Sequence, residues 1–278
     1  MAKVKVAAIQ ARPIQDDLTH PKNVEHALEL LERCFKMDDG VHIACFPEYF
    51  PWSGLESVAG KAEELGIYVI AGIAEREGGS LYNSCVLIGP DGSVLGRQRK
   101  VGLGSMERRY FGFSPGRELR VFDTDFGRIG IGVCADFWGP MNVGRELLRM
   151  GAEIIFNPSF FFVFREAWHY LLFARAVELM LPIVAVDVAE FPFRLGDKVF
   201  RECGGLTCII VPPWKDMDEF ASWWHGGTTR WFLGWLGTEE GILIREIDLF
   251  KAGEFRRAWF ARITSREGPW LDAGLVGS

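Results

Sequence analysis

Apolar runs of strand length alternate with segments of helical period along almost the whole of this 278-residue chain, and that interleaving narrows the possible folds more than any other feature. Lys3 to Ala11 alternates as a strand, and Asn23 to Met37 then places Val24, Leu28, Leu31 and Phe35 on one helical face. Val41 to Phe46 reads as a second strand, Glu56 to Leu65 as a helix, and Ile67 to Ala74 and Leu81 to Ile88 as buried strands. Pro90-Asp91-Gly92 marks a turn that folds Ser93 to Arg99 back on the preceding strand as a hairpin. Val101 to Gly116, with four glycines and a proline, reads as a long irregular loop, a kind of segment that often carries function.

The rhythm then returns as strand Arg128 to Val133, helix Val143 to Met150, strand Glu153 to Phe156, helix Glu166 to Met180 and strand Ile183 to Val188. Further strands follow at Leu206 to Val211 and Ile242 to Asp248, separated by an aromatic stretch from Phe220 to Trp235 and followed by a polar C-terminal tail. No linker, repeat or low-complexity segment interrupts the pattern, which predicts one α/β domain over residues 1–278 with helices covering the sheets. A chain of this length buries roughly three quarters of its unfolded surface and needs no crosslink. Its 37 acidic against 31 basic residues, a net charge of −6, provide no cationic field for nucleic acid or an anionic membrane. The N-terminus lacks the pattern of a secretory signal and no stretch of about 18 apolar residues occurs, so a cytoplasmic protein is expected. The six cysteines form no CxxC pair and the five histidines show no ligand spacing; no metal, cofactor or disulfide framework is implied.

Three residues sit where α/β folds place chemistry, at strand ends. Cys134 closes the apolar strand Ile129-Gly130-Ile131-Gly132-Val133 and precedes a helix start, Glu48 lies just past Val41 to Phe46, and Lys100 closes the strand that begins at Ser93. Singly, each has an ordinary reading as a small buried hydrophobe, a solvated turn residue or a surface charge. Together, a thiol, a carboxylate and an ammonium suit acyl transfer. Glu48 takes the thiol proton and later activates water, Cys134 attacks the carbon, and Lys100 with the Ala135 N–H stabilises the oxyanion.

These residues and several ordered segments resemble the nitrilase superfamily of carbon–nitrogen hydrolases over nearly the whole chain. The segments are Lys5 to Gln10, Phe46-Pro47-Glu48, Ala71 to Glu75, Tyr82-Asn83-Ser84, Pro90-Asp91-Gly92, Glu107 in Met106 to Phe111, and Gly132-Val133-Cys134-Ala135-Asp136. The resemblance implies an αββα sandwich, two central sheets flanked by helices, with Glu48, Lys100 and Cys134 as a catalytic triad. It makes Glu107 a further catalytic carboxylate that holds Lys100 or positions the substrate amide and water. Tyr49, Ala135, Trp138, Asn157 and Phe160 are the expected substrate-binding residues, and Phe160 to Phe164 would favour an apolar or aromatic acyl group. Arg175 to Glu178 also resembles a family segment.

Two departures touch supporting positions: Asp187 where many members carry asparagine, and Gly205-Leu206-Thr207 where Gly-x-Ser is usual. Cys134 is followed by Ala135-Asp136 rather than the Trp-Glu of nitrilases proper, which favours amides over nitriles. The expected activity is therefore hydrolysis of a small amide through a cysteine thioester, with a homodimer or larger homo-oligomer expected by analogy. The alternatives are a nitrilase, an N-carbamoyl amide hydrolase, transfer of the acyl group to an amine or thiol, or a noncatalytic protein that binds a partner through the Trp-rich segment 214–235. That segment otherwise reads as dimer contacts or pocket wall.

Overall fold

The computed structural model describes residues 3–161, 165–212 and 231–263. It builds two face-to-face sheets between two layers of helices, the expected αββα sandwich. The first half of the chain supplies β1 (Lys3–Gln10), α1 (Asn23–Met37), β2 (Ile43–Cys45), β3 (Pro51–Trp52), α2 (Leu55–Leu65), β4 (Tyr68–Glu77), β5 (Ser80–Ile88) and β6 (Val94–Arg99). Next come β7 (Val121–Thr124), β8 (Gly127–Ile131), α3 (Ala135–Trp138), α4 (Val143–Arg149), β9 (Ile154–Ser159), α5 (Trp168–Leu179) and β10 (Ile183–Asp187). The chain continues through β11 (Phe191–Leu195), β12 (Lys198–Cys203), β13 (Cys208–Ile210), β14 (Phe232–Trp235), β15 (Gly241–Asp248) and α6 (Leu249–Ile263).

One sheet runs β15-β1-β2-β4-β5-β6 with β3 on β4, the other β14-β13-β10-β9-β8-β7. Both faces of β1 are apolar, and the period of two sorts them. Val4, Val6 and Ala8 join Ile131, Phe156 and Val184 between the sheets, while Ala7 and Ile9 join Leu30 and Leu31 of α1 outside them. On the far side Leu147 of α4, Leu172 of α5 and Phe255 of α6 cover Ile155 and Ile183. Because β1, β2 and β4 are mutually parallel, as are β8, β9 and β10, their C-terminal ends collect chain reversals at one end of the sandwich.

The structure corrects four sequence expectations. Residues 249–263 are not a polar tail but the helix α6, held by Leu249, Ala252 and Phe255 against the sandwich. An antiparallel hairpin, β11–β12, occupies residues 191–203, where no element was expected. The loop 101–116 contains one widened helical turn, Glu107–Phe111. Finally, α1 is rotated about its axis, burying Asn23, Ala27, Leu30, Leu31 and Cys34 and leaving Leu28 and Phe35 at the margin. Trp214, Trp223, Trp224, Phe162 and Phe164 lie outside the described residues; Trp231 is buried and Trp235 is 55% exposed. Among the described residues no helix is long and apolar enough to cross a membrane.

Candidate active site

Glu48 follows β2 in a tight reversal that lies directly on β4. A Cβ at Gly72 would stand 2.5 Å from both the Pro47 carbonyl and the Tyr49 nitrogen, so only glycine lets the reversal settle there. Glu48 is 1% exposed. Its Oε1 accepts from Lys100 Nζ at 2.8 Å and Asn83 Nδ2 at 2.6 Å, and its Oε2 accepts the Phe160 N–H at 2.9 Å. Lys100 follows β6, tied to β5 by its N–H on the Asn83 carbonyl. Its Nζ also reaches Glu107 Oε1 at 3.0 Å. Glu107 in turn accepts from the Tyr49 hydroxyl at 2.6 Å, from Asn83 Nδ2 at 3.1 Å and from the Gly104 N–H at 2.9 Å.

Cys134 stands between β8 and α3 with φ 49 and ψ −120, a backbone conformation that costs a non-glycine residue on the order of 1–3 kcal/mol and persists only where surroundings enforce it. The enforcement is visible. The Cys134 N–H donates to Pro158 O at 2.8 Å, and its carbonyl accepts from the Phe137 N–H at 3.0 Å and from Asn157 Nδ2 at 3.2 Å. The thiol is turned toward the Phe160 carbonyl at 3.9 Å and shares the cavity with the Glu48 carboxyl. The Ala135 N–H has no hydrogen-bond partner among the described residues and stands beside the thiol at the cavity wall.

Burial governs the charge states. It raises the Glu48 carboxyl above its ordinary range, assisted by the charge of Glu107 and opposed by Lys100. Burial also raises the Cys134 thiol, reinforced by Glu48, and so favours the thiol over the thiolate. For Glu107 burial is outweighed by the Lys100 charge and the Tyr49 hydrogen bond, which hold it low. Burial works against the Lys100 ammonium too, yet the negative charges around it keep it protonated. Asp136 is pushed up to about 6 by burial while accepting the N–H groups of Val101 at 2.8 Å and Gly102 at 2.7 Å, which clamps the loop after Lys100 onto α3.

Glu48, Lys100, Glu107 and Cys134 meet at one cavity of about 230 Å3, together with Tyr49, Ala135, Trp138, Phe160, Phe161 and Met106. Asn157 is different: it does not line the cavity, and its amide donates to the carbonyls of Gly132 and Cys134 as a brace for the turn that carries Cys134. Tyr49 lines the cavity, but its hydroxyl is committed to Glu107. Sequence reasoning missed Asn83 and the amides of Gly104 and Phe160. The Tyr82-Asn83-Ser84 segment was a signal for the first; backbone amides leave none. The Asp187 carboxyl, raised by burial, accepts the N–H of Phe161 and so anchors the cavity wall behind Phe160.

Fold and site together define a class of protein: an αββα sandwich enzyme that keeps a thiol, two carboxylates and an ammonium around one small cavity. The chain belongs to the carbon-nitrogen hydrolase family, whose sequence profile matches residues 5–257, and it is a hydrolase. It is 28% identical over 240 residues to the omega-amidase NIT2 of Homo sapiens, covering 82% of this chain and 78% of that one. It is 33% identical over 272 residues to a protein named nitrilase from Pyrococcus abyssi, covering 89% and 90%. Its fold matches a mutant of the amidase from Nesterenkonia sp. AN1 with a TM-score of 0.70 at 21% identity, covering 94% and 97%. That structure carries the acetamide moiety of fluoroacetamide added covalently at the active-site cysteine.

Proposed function

We propose that the protein hydrolyses a small amide through a thioester on Cys134. The observation that carries the reading is the meeting of Cys134, Glu48, Lys100 and Glu107 at a single buried cavity. As the Cys134 sulfur bonds to the amide carbon, its proton passes to Glu48, whose raised carboxyl is the better base for burial. The carbonyl oxygen becomes an oxyanion met by the Lys100 ammonium and the Ala135 N–H. Collapse breaks the carbon–nitrogen bond, and the Glu48 proton leaves with ammonia or an amine. Water then gives a proton to Glu48 and its oxygen to the carbonyl carbon; release of the acid restores the thiol. Glu107 holds Lys100 in place throughout. Support from outside the chain comes from the omega-amidase relatives and from the cysteine adduct of the Nesterenkonia amidase.

The cavity wall of Trp138, Phe160, Phe161 and Met106 favours an apolar acyl group. Self-association is part of the same reading, and Tyr170, 76% exposed on α5, offers a large ring to a second copy. The test is ammonia release from aliphatic and aromatic amides, nitriles and N-carbamoyl amino acids, run with Cys134→Ala alongside. Amides should be turned over, and the variant should keep its fold, lose at least about 10³-fold in kcat and form no acyl adduct by mass. Full activity in Cys134→Ala refutes the nucleophile. The relative named nitrilase makes nitrile turnover the second reading, and exclusive turnover of nitriles would establish it.

A further inference from the structure

The Tyr82-Asn83-Ser84 segment splits across β5. Ser84 Oγ donates to Glu75 on the outer face, whereas Asn83, 1% exposed, turns inward and gives its single amide nitrogen to two carboxylates, Glu48 Oε1 at 2.6 Å and Glu107 Oε1 at 3.1 Å. The same rung of the sheet binds Asn83 to the lysine, because the Lys100 N–H donates to the Asn83 carbonyl. Two like charges therefore face one ammonium and one amide, and each carboxylate is held by both. The arrangement has a cost: among the described residues, Asn83 Oδ1 is buried without a hydrogen-bond partner. An orphaned acceptor costs about 1–3 kcal/mol. Turning the amide over would present that oxygen to both carboxylates, so the side chain is held by the acids it serves.

We infer that Asn83 is a positioning residue: by dividing its amide hydrogens between Glu48 and Glu107 it holds the two carboxylates about Lys100 and fixes the orientation in which Glu48 meets the Cys134 thiol. Asn83 does not line the cavity, so it acts through Glu48 and not on substrate. A donor to a carboxylate favours the ionised form. Removing it leaves Glu48 protonated to higher pH, where it cannot take the thiol proton. The charged and titratable groups acting on Glu48 are Lys100, Glu107, Cys134 and Tyr49, with Cys85, Asp136 and Asp187 behind them, and all are retained when Asn83 alone is changed.

The inference rests on the thiol reading of the site, and its test uses a probe that separates the two. Iodoacetamide alkylates Cys134 by forming a sulfur–carbon bond as iodide leaves and the thiol proton passes to Glu48, and the rate against pH, read by peptide mass, reports that base. Asn83→Leu and Asn83→Ser should move the acidic limb up by about one pH unit and slow alkylation about tenfold below it. Asn83→Asp, which adds a third negative charge, should move it further. For a substrate found in the amide screen, kcat should fall with KM changed less than about threefold. A limb unmoved in folded Asn83→Leu or Asn83→Ser overturns the inference, as does loss of the fold in both, which would make the amide a structural group. Failure of wild-type Cys134 to react with any pH-dependent limb would instead overturn the reading on which it rests.

Discussion

The two faces of the sheet edge built by β4, β5 and β6 gather acids and bases in opposite proportion and put them to opposite use. On the outer face Glu75 accepts from Arg99 at 2.9 Å and pairs with Arg97 at 3.0 Å, Arg99 reaches Glu77 at 2.7 Å, and the Arg99 guanidinium lies 3.9 Å over the Tyr82 ring. These residues, with Arg117, Glu118 and Arg120, line a groove of about 410 Å3, larger than the cavity that holds Cys134. On the inner face one ammonium serves two carboxylates. Outside, two guanidiniums surround Glu75 and hold it low despite partial burial; inside, Glu48 is raised by burial and by a second acid. Size of the concavity does not locate the chemistry. A surplus of negative charge in a dry site makes a base, and a surplus of positive charge at a wet one makes a structural salt bridge.

The sharpest break of this contrast is Lys100→Met. It leaves Glu48 and Glu107 buried side by side with only amides and one hydroxyl as donors. Removing one member of a buried ion pair costs about 3–5 kcal/mol, and the loss should show as a lowered urea midpoint. Turnover should fall at least about 10³-fold, since the oxyanion loses its cation and Glu48 takes up a proton. A variant as stable as the wild type would mean that the two carboxylates already share a proton.

A smaller effect sharpens the same contrast through Asp136, the inner clamp. Its folded value near 6 lies above the ordinary 3.8, so between them the native state binds more protons than the unfolded chain. The group therefore contributes stability that is full below about 4 and is lost as pH rises through about 6. Asp136→Asn lacks that titration. Measured by urea unfolding from about pH 4 to pH 7, wild-type stability relative to the variant should decline by about 2 kcal/mol. A flat difference would show that the clamp carboxyl has an ordinary value.

What the sequence discloses divides along the same line. Glu48, Lys100 and Cys134 were legible because each closes or follows a strand, Glu107 only because Met106 to Phe111 resembles a family segment, and α1 was legible to its ends. The helix α6 was hidden because the charges of Lys251, Glu254, Arg256 and Arg257 mask a spacing at Ala252, Phe255 and Trp259 that packs on the sandwich. The β11–β12 hairpin had a signal, Gly196-Asp197 between two strand-length runs, that should have been read. Asn83, Tyr49 and Asn157 could not be given their parts, because hydrogen-bond pairing between residues 23 to 58 positions apart follows from side-chain geometry and not from spacing.

The smallest expected effect tests the outer face. Glu75→Gln removes the charge shared by Arg97 and Arg99 while keeping an acceptor for Ser84 and Arg99. Glu77 remains beside Arg99, and the groove is open to solvent, so the guanidiniums stay hydrated and stability should fall by no more than about 1 kcal/mol. Cys134 alkylation should keep its rate and its acidic limb, because β5 and β6 separate Glu75 from Glu48 and solvent screens what the backbone does not. A limb displaced in Glu75→Gln would show the two faces to be electrostatically one site, and the contrast between them would fail.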